Sequence, residues 1–134
     1  MKIDGGCHCG AIRFEAEIDP AKVMICHCTD CQTLSGTAFR TVVPVPRNDF
    51  RILCGTPKIY MKTAESGNRR QQAFCGNCGT PIYSAGEKDT PVYSVRVGSI
   101  RQRAELKPRE QVWHRSALPW LPDLGGQKHE RQKA

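Results

Sequence analysis

Aromatic side chains are scarce, 7% of the 134 residues, and no apolar run approaches the roughly 20 residues needed to cross a bilayer. A membrane span is excluded, and the core must do without many rings. No segment sustains a 3.6-residue apolar period for three turns, which excludes a helical bundle. No repeat of fixed period recurs, so a solenoid is excluded as well. The N-terminal MKIDGGCHCG has no apolar stretch behind a basic start, so no secretory signal is expected. Together these absences point to a reducing cytoplasm, where thiols hold metal or do chemistry and rarely pair as disulfides. Acidic side chains are in deficit too: 20 Lys and Arg face 13 Asp and Glu, a net charge of +7. The surplus is diffuse, +3 over residues 1–100 and +4 over residues 101–134. It admits anionic partners, yet it lacks the basic block, interleaved aromatics and recognition helix that mark a nucleic-acid binder.

What the chain does contain is punctuation. Residues 11–18 alternate strictly, with Ile12, Phe14, Ala16 and Ile18 on one face and Arg13, Glu15 and Glu17 on the other, the pattern of a half-buried strand. Short β-favouring runs follow at 23–26, 39–45, 50–53, 58–62, 69–75, 81–84 and 92–97, separated by Pro, Gly, Asn and Asp turns. This spacing predicts a mainly β domain over residues 1–123. Helix is confined to a turn or two at 29–35, ended by Gly36. Residues 124–134 hold almost no large apolar side chain and are expected to form a disordered tail.

Eight cysteines stand out against this modest composition, and seven fall in three groups: Cys7 and Cys9; Cys26, Cys28 and Cys31; Cys75 and Cys78. Cysteines one or two residues apart make poor disulfides but present two sulfurs to one ion. The Cys75–Gly76–Asn77–Cys78–Gly79 run has the spacing of a zinc knuckle, with glycines suited to positive φ. An extended Cys7–His8–Cys9 would put both sulfurs on one side of a strand. Seven thiols divide most simply as four plus three, one closed zinc site and one with a position left for water or substrate. Arithmetic alone does not say which groups combine. The 26–31 loop can wrap one ion locally, leaving the other four to tie the N-terminal strand to the Cys75 turn, 65 residues lying between Cys9 and Cys75. Structural zinc in a small domain contributes about 10 kcal/mol or more.

The competing reading of the triplet is a second closed site whose fourth ligand is Cys54, His8, His27 or His114. A redox dithiol at Cys28 and Cys31 leaves Cys26 without a purpose. Cys54, standing alone, reads as a small buried apolar residue. His8 and His27 lie between ligand cysteines and should point away from the metal.

The ordered motifs Gly6–Cys7–His8–Cys9–Gly10, Cys26–His27–Cys28–Thr29–Asp30–Cys31, Phe74–Cys75–Gly76–Asn77–Cys78–Gly79 and Pro119–Trp120 resemble those of the glutathione-dependent formaldehyde-activating enzyme family, which includes the domain of centromere protein V. The resemblance implies an antiparallel β-tent fold, a structural zinc on Cys7, Cys9, Cys75 and Cys78, and a second, catalytic zinc on Cys26, Cys28 and Cys31. It implies a carbon–sulfur lyase acting on a small-molecule thiol and aldehyde, with glutathione as co-substrate and formaldehyde as its partner. Where members often carry a His followed by an aliphatic and an aromatic residue, this chain has Gln111–Val112–Trp113, and His114 inherits no role. Arg40, Arg69, Arg70 and Arg96 are candidates to orient substrate carboxylates. The alternative function is a non-catalytic zinc-stabilised module that binds nucleic acid or a protein partner.

Overall fold

The computed structural model describes residues 1–88 and 90–133. Strands β1 (Lys2–Gly6), β2 (Arg13–Glu17) and β5 (Phe50–Cys54) form a three-stranded sheet in the order β1-β2-β5. The second sheet has eight strands: β3 (Met24–Cys26), β4 (Arg40–Pro46), β6 (Lys58–Thr63), β7 (Arg69–Phe74), β8 (Pro81–Gly86), β9 (Val92–Arg96), β10 (Glu110–Val112) and β11 (Gln127–Lys128). Their order is β11-β10-β3-β4-β9-β8-β7-β6. Among the described residues the one α-helix, α1, spans Thr29–Ser35, and Gly36 caps it by donating to the Gln32 carbonyl at 3.0 Å. Every β-favouring run in the sequence became a strand, because alternation and β-branched content are properties of the segment itself.

Three strands have no such signal. β1 contains two glycines and owes its strand to pairing with β2, Ile3 opposite Ala16. β10 is three residues long and runs parallel to both β3 and β11, so the mainly antiparallel architecture expected is mixed at this one edge. β11 corrects the expectation of a disordered tail over 124–134. Gln127 N–H donates to Arg109 O at 3.1 Å and His129 N–H to Gln111 O at 2.8 Å, while Trp113 N–H reaches Arg131 O at 3.0 Å. These bonds use only the backbone, so hydrophilic side chains gave no warning of them.

The few aromatic rings are concentrated where the sheets meet. Phe50 packs on Phe14, Tyr83 and Tyr93 at centroid separations of 5.3, 5.6 and 5.2 Å. Val43 and Val45 of β4 and Val95 of β9 are fully buried beneath them. The large sheet therefore turns one face to the core, and its other face is free to be polar.

Gly5 marks the tightest approach. It bridges to Ile100, and a Cβ there would collide with the Ser99 carbonyl oxygen and lie 2.7 Å from Phe14 Cζ. Gly5→Ala is expected to lower unfolding stability by about 1–3 kcal/mol, the usual cost of overpacking, as measured by urea titration.

Candidate metal centres

The first cysteine pair sits in a turn and not in the extended strand expected. Gly10 N–H donates to Cys7 O at 3.1 Å and Gly10 takes φ +83°. The turn brings Cys7 Sγ and Cys9 Sγ to 3.6 Å. At the other end of β7, Gly79 N–H closes on Cys75 O at 2.8 Å with φ +84°, so Gly79 supplies the left-handed residue of the knuckle while Gly76 keeps an ordinary φ. Cys9 Sγ then lies 3.8 Å from Cys75 Sγ, and all four sulfurs fall within 4.8 Å of one another. Tetrahedral zinc with bonds of about 2.3 Å requires sulfur separations of about 3.8 Å, so the donor set fits one closed zinc ion. Ile12 N–H donates to Cys7 Sγ at 3.1 Å, as a thiolate requires. The Thr80 hydroxyl, with further backbone N–H donors, pulls the Cys78 thiol down to about 5. This group joins the β1–β2 turn of one sheet to the β7–β8 turn of the other.

The second cluster is built locally. Cys26 ends β3, Cys28 caps α1 by accepting the Cys31 N–H at 3.2 Å, and Cys31 lies in the first helical turn. Their three sulfurs lie within 4.8 Å of one another, again a spacing that fits one zinc ion. Hydrogen bonds from Cys26 and Cys28, aided by the Arg40 guanidinium, hold the Cys31 thiol well below its ordinary value. Cys26 is correspondingly pushed up by sharing protons with Cys28 and Cys31.

No fourth Cys, His, Asp or Glu atom joins this cluster among the described residues. Cys54 is exposed at the end of β5, against the expectation of burial, and its thiol donates to Ala11 O at 3.6 Å. His8 is exposed. His27 is buried, with Nε2 held 2.7 Å from Gln111 Oε1 and the ring packed between Phe39 and His114. The set therefore offers three sulfurs and no fourth protein donor among the described residues.

All three cysteines line a cavity of about 990 Å³ whose floor is the polar face of the eight-stranded sheet. Register dictates the lining. Cys26 faces Arg40 across β3 and β4, Val42 faces Arg96, Gln72 faces Ser84, and Ser84 faces Ser94. Three of the four candidate arginines therefore meet here: Arg40, Arg70 and Arg96. Arg69, one residue out of phase, points away and pairs with Glu87 at 2.9 Å. Burial first, then the neighbouring Arg40, pushes the Arg96 guanidinium down to about 9. Burial likewise lowers Arg70, which donates to Ser84 Oγ at 3.1 Å. At the rim, Lys62 of β6 and Asp30 of α1 pair at 2.9 Å.

Two contributors escaped the sequence reading. Gln72 Oε1 accepts from Arg96 Nη2 at 2.9 Å and Arg40 Nη1 at 3.4 Å. Its signal was the polar alternation Arg70, Gln72 within a strand-forming run. Gln111 holds His27 on one side and donates to Gly125 O at 2.6 Å on the other, tying the 26–31 loop to the C-terminal segment. Trp120 of the Pro119–Trp120 motif stands exposed.

Comparison with known proteins agrees with this geometry. The family profile described as glutathione-dependent formaldehyde-activating enzyme matches residues 2–116. An uncharacterized lyase of Schizosaccharomyces pombe is 28% identical over 82 residues, covering 61% of this chain and 56% of that relative. The match thus spans little more than half of the relative's length. A crystal structure of a Rhodobacter sphaeroides protein is similar with a TM-score of 0.59 over 94% of this chain and 98% of that one, at 20% identity, a likeness of fold. With both cysteine clusters and most of the chain inside the profile, the chain belongs to the glutathione-dependent formaldehyde-activating enzyme family.

Proposed function

We propose that this chain is a zinc-dependent carbon–sulfur lyase or synthase that makes or breaks a thiol–aldehyde adduct, with glutathione and formaldehyde combining to S-hydroxymethylglutathione as the reaction its family suggests. One observation carries the reading: the three-sulfur group, with no fourth protein donor among the described residues, lines a cavity of about 990 Å³, whereas the four-sulfur group has a full tetrahedral set and lies outside that cavity. A cavity of that size accommodates a tripeptide thiol together with a small aldehyde.

When bound on Cys26, Cys28 and Cys31, zinc supplies an open position at which an incoming thiol gives up its proton. The protein's own part is placement. Cys26 at a strand end and Cys28 and Cys31 on α1 fix the direction from which the thiol enters. The sheet floor sets the aldehyde beside it. The thiolate sulfur then bonds to the carbonyl carbon, the carbon–oxygen π pair moves onto oxygen, and oxygen takes up the proton released by the thiol. Lyase action is the reverse. Holding two reactants in line can lower a barrier by roughly 7–11 kcal/mol, so orientation is the main contribution. Three thiolates and a divalent ion leave one negative charge, and Arg40 against Cys31 offsets it.

Two outcomes test this. NMR exchange spectroscopy of glutathione and formaldehyde should show adduct interconversion accelerated over the spontaneous rate by the zinc-loaded protein; an unchanged rate removes that substrate pair. Cys28→Ser should stay folded, lose one zinc by elemental analysis and fall to the spontaneous rate. Cys78→Ser should lose cooperative unfolding, because about 10 kcal/mol of metal-linked stability rivals the whole stability of a small domain. Equal unfolding by both substitutions would refute the division into an open and a closed centre.

A further inference from the structure

The floor of the cavity holds more positive charge than the centre beside it can neutralise. Arg40 and Arg96 are each only 7% exposed. Both donate to one acceptor, Gln72 Oε1, and Arg40 Nε has no hydrogen-bond partner. Among the described residues, no carboxylate lies within 4.0 Å of Arg40, Arg70 or Arg96. The acidic side chains lining the cavity are Asp30, taken by Lys62, and Glu65 in the turn after β6. If the zinc centre carries one negative charge, Arg40 is matched and the other two guanidinium groups are in surplus. Buried charge is costly unless it is paired, and a neutral amide shared between two guanidinium groups is a poor substitute for an anion. A guanidinium pair is also the side-chain arrangement best suited to grip a planar carboxylate through two parallel N–H bonds.

We propose that Arg40, Arg96 and Gln72 form a carboxylate-binding subsite, so that one of the two reactants is a carboxylate whose charged group docks on the sheet floor beside the reacting atom. The inference rests on the reading that thiol and aldehyde meet at the Cys26–Cys28–Cys31 centre, and it adds the substrate class. Arg40 faces Cys26 across the sheet and donates to Gln72 Oε1, and the three cysteines line the same cavity, so the docked group lies close to the sulfur set. A compact acid fits that distance: a short mercapto acid on the thiol side, or an oxo acid on the aldehyde side.

The two sources separate in one experiment with isosteric pairs. The thiol pair is 3-mercaptopropionate and 3-mercaptopropionamide; the aldehyde pair is glyoxylate and glyoxylamide. The zinc-loaded protein should favour the carboxylate member of at least one pair by about tenfold or more in kcat/KM, the size of one charge-assisted hydrogen bond. Preference in the thiol pair alone assigns the carboxylate to the thiol, and preference in the aldehyde pair alone assigns it to the aldehyde. Gln72→Glu puts a fixed carboxylate between the two guanidinium groups. It should raise the melting temperature, retain two zinc ions and bring the preference close to unity. Arg96→Gln, checked for zinc content and cooperative melting, should reduce the preference as well. No preference in either pair, or one that Gln72→Glu leaves intact, overturns the subsite while leaving the lyase reading in place. If no pair is accelerated, calorimetry decides the subsite alone, and the glutathione–formaldehyde exchange decides the lyase reading. Binding of glyoxylate or 3-mercaptopropionate that disappears in Gln72→Glu sustains it, and binding equal in both proteins, or absent from both, overturns it.

Discussion

The convergence of four sulfurs from two distant turns is the constraint on which the rest of this small fold depends. Cys7 and Cys9 belong to the three-stranded sheet, Cys75 and Cys78 to the eight-stranded one, and their sulfurs stand at the spacing one tetrahedral ion requires. An ion held there would tie together segments 66 residues apart. Local backbone bonds hold each turn, so the ligands arrive in pairs already shaped, and only the meeting of the two pairs is left to tertiary structure. The aromatic cluster around Phe50 packs the sheets against each other at the same junction.

Stability drawn from such a clasp would leave the large sheet free to do something other than pack. One face carries Val43, Val45 and Val95 into the core; the opposite face carries Arg40, Gln72, Ser84 and Arg96, buried and polar. A domain stabilised by apolar burial alone would ill afford that second face, because each unpaired buried polar group opposes folding. The three-sulfur centre lies at the edge of that face, where Cys26 ends a strand and α1 begins. The two sets of cysteines thus divide their labour by topology: one spans two sheets and is closed, the other is contained in one loop and faces a cavity.

The basic surplus has a similar division. Lys128, Lys133, Arg101, Arg51 and Arg69 pair with carboxylates at the surface, whereas Arg40, Arg70 and Arg96 face the cavity without them. Net charge, read as a sum, suggested an anionic partner of any size. Its placement puts Arg40, Arg70 and Arg96 on the sheet floor, within reach of a small anion.

Much of this was legible in the linear chain, for a physical reason that differs from feature to feature. Cysteine spacing is a local property, because a knuckle closes within five residues, so the three cysteine groups were visible in the sequence, and the structure gathers their sulfurs into one set of four and one of three. Strand alternation is equally local, and β2 through β9 followed from it. What tertiary structure alone decided was pairing and phase. β1 and β11 exist through backbone bonds to a neighbour, and no side-chain pattern encodes such bonds. Arg70 joined the cavity and Arg69 did not because consecutive residues of a strand face opposite ways, and only the register of the assembled sheet says which way is inward.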